Sequence, residues 1–407
     1  MRDKMVERFL KYVSFDTQSD EESTSYPSTE KQFNLAKYLV EELKSMGLED
    51  ASVDEYCYVT ATLPGNVEGK NVPTIGFLAH MDTSPEFPGA NVKPQIVENY
   101  DGSDIPLGSD RVLSPQDFPD LKNYKGKTII TASGDTLLGA DDKAGIAIIM
   151  TALEYLLSHP EIKHGAIKVG FTPDEEVGRG VDYFNVKKFG ADFAFTLDGG
   201  PIGELNYETF NAAQAKVTVH GKSIHPGDSK NKMKNAILMA LDYVSQFPPA
   251  EAPAHTEGYE GFYHVYHIEG GVDTAQLTWI IRDHNRERFE QRKTYMQDVA
   301  NWMNHKYGEG TFDIEIKDQY YNLYEILKDK PEIIDLAKRA MKEAGIEPMI
   351  TPVRGGTDGS RLTFMGLPTP NLFTGGHNYH GPFEYIVVES MEKAVEVVVN
   401  IAHLAAE

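Results

Sequence analysis

The segment Thr74-Ile-Gly-Phe-Leu-Ala-His-Met-Asp82 carries the reading of the fold. Its apolar run, Thr74 to Ala79, is short and closes on a histidine and, two residues further, an aspartate. Side chains two apart on an extended chain project from one face, so His80 and Asp82 share a face. A histidine placed there can bind a metal through one ring nitrogen while Asp82 accepts the proton of the other, which fixes tautomer and ring direction. The same letters also fit a strand that simply ends in polar residues.

Working outward, helical and strand-like spacings alternate. Lys31 to Met46 and Ala144 to Leu157 carry apolar residues at helical intervals, while Ala166 to Phe171 and Phe193 to Leu197 are short apolar runs. This alternation predicts an α/β fold, a mixed sheet flanked by helices. Such sheets hold their active sites at strand ends, so the polar residues after each run matter most. From about Ala212 the texture changes. Alternation in AKVTVHG, a helix over Asn235 to Gln246, a strand near Gly261 to Ile268, alternation over Gln276 to Arg282, a charged helix over Glu287 to Tyr307 and alternation in FDIEIKD predict a smaller inserted α+β, ferredoxin-like domain. The expected division is 1–211 with 323–407 for the larger, discontinuous domain and 212–322 for the insert. Helices over Pro331 to Ala344 and Met391 to Ala406 close the larger domain.

Two domains also suit the length, since 407 residues exceed what one core organises. The formal charge is 39 minus 62, or −23, and a surface that acidic repels phosphate backbones and anionic headgroups. Nucleic-acid and membrane partners are therefore disfavoured. A single cysteine, Cys57, cannot form an intrachain disulfide. The first residues, MRDKMVERFLKYV, intersperse charges among apolar positions and read as an amphipathic helix rather than a signal peptide. The stretch Gly145 to Leu157 is too short to span a bilayer and contains Glu154. A cytoplasmic location is expected.

Four further places set acids or histidines beyond an apolar run or in a glycine-rich loop: GADDKAG (139–145), FTPDEEVG (171–178), FTLDGG (195–200) and HNYHGPFE (377–384). Zinc hydrolases need imidazole nitrogens and carboxylate oxygens from several strand ends to meet at one point. Three consecutive acids, Asp174 to Glu176, concentrate negative charge at a cost unless a cation is near. A solvated loop is the plainer account. A metal pair would remove the repulsion and leave Glu175 free as general base.

The motifs HMDTSP, LLGADDKAG, FTPDEEVG, LDGG, TEGYEGFYH, IIRD, RGGTDGSRL, PNLFTGG and NYHG, in this order over nearly the whole chain, resemble the M20 metallopeptidase family. TEGYEGFYH narrows the resemblance to that family's tripeptide aminopeptidases. The resemblance implies two zinc ions, with cobalt or manganese as substitutes. His80 and Asp198 would hold one, Glu176 and His380 the other, and Asp141 would bridge them. Asp141 is chosen over Asp142 because the family motif is Asp, any residue, Lys. Glu175 then matches the general base, Asp82 the partner of His80, and the Asp141–Asp142 peptide is expected to be cis. His225 in SIHPG matches a histidine that reaches the substrate, although a surface turn before Pro226 would read the same way. Arg282 and Arg354 are candidates to grip the substrate carboxylate through a bidentate fork, with Asn235 adding a polar contact; both arginines also fit ordinary ion pairs. The implied substrates are short peptides, especially tripeptides, and a homodimer through the inserted domain is a further expectation. Related deacylases, carboxypeptidases and dipeptidases share fold and metals, and a non-catalytic peptide binder would share the fold alone.

Overall fold

The computed structural model describes residues 1–67, 72–108 and 110–407. The chain folds into two compact units, Met1–Tyr207 with Ile326–Thr351 and Thr357–Glu407, and Glu208–Glu325 with Pro352–Gly356.

In the first unit the short apolar runs become the middle of an eight-stranded sheet. Strands Ile167–Thr172, Ile75–His80, Phe193–Gly199 and Asn371–Phe373 lie side by side and parallel. Val59–Leu63 pairs antiparallel with Ile167–Thr172, and Glu204–Asn206 antiparallel with Asn371–Phe373, so the sheet is mixed. The strand Ile75–His80 is buried along its whole length, as a central parallel strand with both faces covered must be. The helix Ala140–Ser158 packs on it and against the helices Arg2–Val13 and Val388–Leu404. Enclosed by a sheet and two helices, it is apolar on all sides, with Ile146, Ile148, Ile149, Met150 and Leu153 buried. Each such side chain contributes roughly 1.5–3 kcal/mol of burial.

A second, four-stranded antiparallel sheet in this unit orders Gly376–His377, Tyr385–Val387, Ile129–Thr131 and Gln95–Val97. It brings the 378–384 loop alongside the chain that leads into the Ala140 helix. The sequence reading assigns no helix or strand between residues 84 and 139. Strands of two or three residues are too short to show periodicity.

The second unit runs strand, helix, strand, strand, helix, strand: Asn211–His220, Ala236–Val244, Phe262–Gly270, Thr274–Asp283, Arg286–Tyr307, Phe312–Tyr320. The sheet order places Thr274–Asp283 and Asn211–His220 at the centre, a ferredoxin-like arrangement. Alternate residues of Thr274–Asp283 are buried, and Leu277, Trp279 and Ile281 pack with Tyr243, Phe289 and Met303. Residues 352–356, which the sequence reading leaves with the larger domain, pack in this unit. Val353 bridges to Thr209, and Arg354 donates to the carbonyls of Gly258 and Glu260. Among the described residues no helix is long and apolar enough to cross a membrane.

Candidate metal centre

The parallel strands end on one edge of the large sheet, and the polar residues that follow them gather there. His80 is the last residue of Ile75–His80, Asp198 lies near the end of Phe193–Gly199, and Glu175 and Glu176 follow Ile167–Thr172. Asp141 stands at the start of the Ala140 helix, entered through Gly139 in the left-handed region (φ 81°). The Asp141–Asp142 peptide is cis, as the resemblance implies. His380 comes from the 378–384 loop, itself left-handed (φ 65°), a region where histidine is several-fold enriched among non-glycine residues.

These side chains converge in two groups that share one residue. His80, Asp141 and Asp198 form the first; Asp141, Glu176 and His380 form the second; within each group one ligand atom per residue lies within 4.8 Å of the others. His80 Nε2 is 2.8 Å from Asp141 Oδ1 and 3.6 Å from Asp198 Oδ1. His380 Nε2 is 3.2 Å from Asp141 Oδ2 and 2.9 Å from Glu176 Oε2. Asp141 thus turns one carboxylate oxygen toward each histidine.

The donor set fits divalent cations. Glu176 Oε1 is buried without a hydrogen-bond partner, and among the described residues no lysine or arginine pairs with Asp141, Asp142, Glu175, Glu176 or Asp198. Burial, aided by Asp141, pushes Glu176 up to about 8 and Asp198 up to about 6. Burial likewise drives Glu175 and Asp142 well above the carboxylate range. Asp141 runs the other way: burial would raise it, but hydrogen bonds from His380 and His80 hold it below the usual range. Carboxylates crowded and desolvated in this way need positive charge among them, and nitrogen and oxygen ligands are the set that suits it.

Asp82 has a wider role than its expected one. His80 Nδ1 lies 3.1 Å from the Asp82 carbonyl oxygen and 3.3 Å from Oδ1. The same carboxylate accepts the backbone N–H groups of Glu175 (3.0 Å) and Glu176 (3.2 Å), so one buried aspartate orients the histidine and the acidic loop together. Asp142, beside the sharing residue, accepts from the N–H of His80 and of Gly145. Asp174, the first acid of the run, belongs to the scaffold. It is buried with φ 54° and accepts from Ser28 N, Ser28 Oγ and Gln32 Nε2. No hydrogen-bond partner is found for the Glu175 carboxylate among the described residues. Sequence reasoning misses Glu384, a buried carboxylate whose oxygens accept from Leu138, Gly139 and Asp141 N–H groups. Its only sequence signal is its place at the end of the HNYHGPFE motif.

The remaining four candidates lie in the second unit. His225 is exposed, with Nδ1 accepting from Gly227 N–H. Asn235 caps the helix Ala236–Val244 by accepting from Ile237 and Leu238 N–H groups. Arg282 donates through Nη1 to the carbonyls of Ala213 and Ile281 and faces the Tyr320 ring. Arg354 donates through both Nη atoms, to Gly258, Glu260 and Thr256, and stacks near Phe210 and Phe262.

Comparison with known proteins follows the same lines. Residues 135–404 match the family "Peptidase family M20/M25/M40". A peptidase T of Clostridium acetobutylicum is 59% identical over 100% of both chains. Among solved structures, the aminopeptidase PepT of Bacillus cereus superposes with a TM-score of 0.78 at 25% identity, covering 100% of this chain and 99% of that one. A tripeptidase of Staphylococcus aureus superposes with a TM-score of 0.80 at 23% identity over the same shares, a likeness of fold. With more than half its length matched by the family and its whole length by such a relative, the chain belongs to peptidase family M20/M25/M40.

Proposed function

We propose that the chain is a di-zinc aminopeptidase that releases the first residue of short peptides, tripeptides above all. The observation that carries this reading is the pair of ligand groups sharing Asp141, with the unbonded Glu175 carboxylate beside them. His80 and Asp198 would hold one ion, Glu176 and His380 the other, and Asp141 both. Mixed imidazole and carboxylate donors favour zinc, with cobalt or manganese as substitutes. Two such ions supply Lewis-acid polarisation of the scissile carbonyl and acidify water. Glu175 takes the water proton and passes it to the leaving amine, and its desolvated carboxylate is the more basic for having no protein donor. Asp82 keeps His80 and the Glu175 backbone in register while this happens.

In the second unit, His225 contacts the substrate, a role supported by an exposed ring whose Nε2 has no protein partner among the described residues. Of the two arginines, Arg282 is the favoured carboxylate clamp, since its Nε and Nη2 are free of such partners whereas both Nη atoms of Arg354 are engaged. Asn235 contributes through the helix start that it caps. Dimerisation through this unit is supported by the exposed Ile237, Leu238 and Leu241 of one helix, and by the edge strand Phe262–Gly270 with exposed Tyr266 and Ile268. The cytoplasm is the compartment.

The full-length likeness to the aminopeptidase PepT of Bacillus cereus favours the aminopeptidase over the deacylase, carboxypeptidase and dipeptidase alternatives. Mass spectrometry of products from a free tripeptide, its N-acetylated form and the matching dipeptide tests the choice. Release of the first residue from the free tripeptide alone is expected. Cleavage confined to the acetylated peptide would move the chain to the deacylases, and binding without turnover would leave a peptide binder.

A further inference from the structure

We propose that Glu384 is a positioning residue for the metal centre: its carboxylate holds the backbone that presents Asp141 and locks it to the loop that presents His380. This rests on Asp141 and His380 being metal ligands.

The argument starts from the backbone. The chain entering the Ala140 helix presents N–H groups that no helical turn precedes, and such donors need acceptors from elsewhere. Three of them reach one side chain. Leu138 N–H and Gly139 N–H donate to Glu384 Oε2 at 2.7 and 2.8 Å, and Asp141 N–H donates to Oε1 at 3.0 Å. Glu384 is 1% exposed, so water does not substitute for these bonds. A buried carboxylate accepting three N–H groups sets the path of residues 138–141, where the chain enters the helix and departs from helical angles at Asp141 (φ −83°, ψ 104°).

Glu384 is also tied to His380. Its own N–H donates to the Gly381 carbonyl, and Asn378 Nδ2 donates to the Phe383 carbonyl, so residues 378–384 form one closed loop. One side chain therefore joins the loop of the shared ligand to the loop of a histidine that belongs to only one group. Displacing Asp141 disturbs both ion sites, whereas displacing His380 alone disturbs one. This distinction makes the proposal testable without any measurement of turnover.

Glu384→Gln keeps the shape but turns one oxygen into an NH2 group, so at least one of the three N–H donors faces another donor. Metal-free protein is titrated with zinc chloride in competition with a chromogenic chelator, and its thermal melting is recorded in parallel. Parent protein is expected to take up two zinc ions, and Glu384→Gln to bind both about 10- to 100-fold more weakly, as outer partners of metal ligands do. Glu384→Asp, which retains the charge on a shorter stem, is expected to fall between the two. It supplies the measurement if Glu384→Gln does not fold. Glu389→Gln is the control: that carboxylate accepts Thr128 N–H and pairs with Arg2 away from the centre, so its loss should lower the melting temperature and leave zinc affinity unchanged. If the folded Glu384 variants bind both ions within about twofold of the parent, Glu384 is only a structural anchor and the proposal is overturned. A parent that takes up no zinc overturns the metal reading itself, and this inference with it.

Discussion

Replacing Glu175 by glutamine separates a general base from a ligand. Glutamine matches glutamate in shape, and the Glu175 carboxylate has no hydrogen-bond partner among the described residues, so no protein donor loses its acceptor. The backbone N–H that fixes the residue to Asp82 is untouched. The substitution also removes one negative charge from a cluster in which desolvation and the neighbouring Asp198, Asp358 and Glu176 already disfavour ionisation. The stability of the metal-free protein should therefore hold or rise. What disappears is proton transfer, which contributes about 10²- to 10⁴-fold. The middle of that range is about 4 kcal/mol at 1.36 kcal/mol per factor of ten. Steady-state hydrolysis of a free tripeptide should show kcat lowered about 10³-fold with KM little changed and two zinc ions still bound, while the metal-free protein should show an unchanged or higher melting temperature. Retention of kcat within about tenfold at full metal loading would refute the base assignment. Loss of one zinc ion would instead make Glu175 a ligand.

Other outcomes follow from the packing and the charges. Burial lowers His377 to about 4, while Nε2 is 2.8 Å from the Tyr124 hydroxyl and the ring stacks on Tyr385. A depressed histidine adds stability that is complete above its unfolded value near 6.5 and is lost as pH falls toward about 4; melting in acid should show a loss of roughly 3 kcal/mol, much of it absent in His377→Gln. Gly145→Ala would set a methyl group 2.0 Å from the Leu197 carbonyl oxygen and 2.5 Å from Asp142 Oδ1, so it should destabilise by about 1–3 kcal/mol or more and weaken metal uptake, read by melting and zinc titration. Leu238→Glu with Leu241→Glu should convert the proposed dimer to monomer in sedimentation, and an unchanged mass would reject that face.

Why some of this was readable from the chain and some was not comes down to where each residue finds its partner. His80, Asp198 and the Glu175–Glu176 pair follow apolar runs, so strand period and strand end together mark them before any tertiary contact is known. The second unit's alternating strands show in the same way, because one face is buried and the other wet. Residues 352–356 could not be assigned so: they are too few to have a period, and what holds them is Arg354 bonding to carbonyls about a hundred positions earlier. Glu384 lies further still from its partners, 246 residues from Leu138, and those partners are backbone N–H groups, which every residue but proline carries. A sequence therefore displays ligands, whose chemistry is in the side chain, more readily than the residues that aim them. The double duty of Asp82 makes the same point. Its bond to His80 follows from a spacing of two, while its grip on Glu175 and Glu176 depends on the parallel pairing of His80 with Thr172, which only the folded sheet supplies.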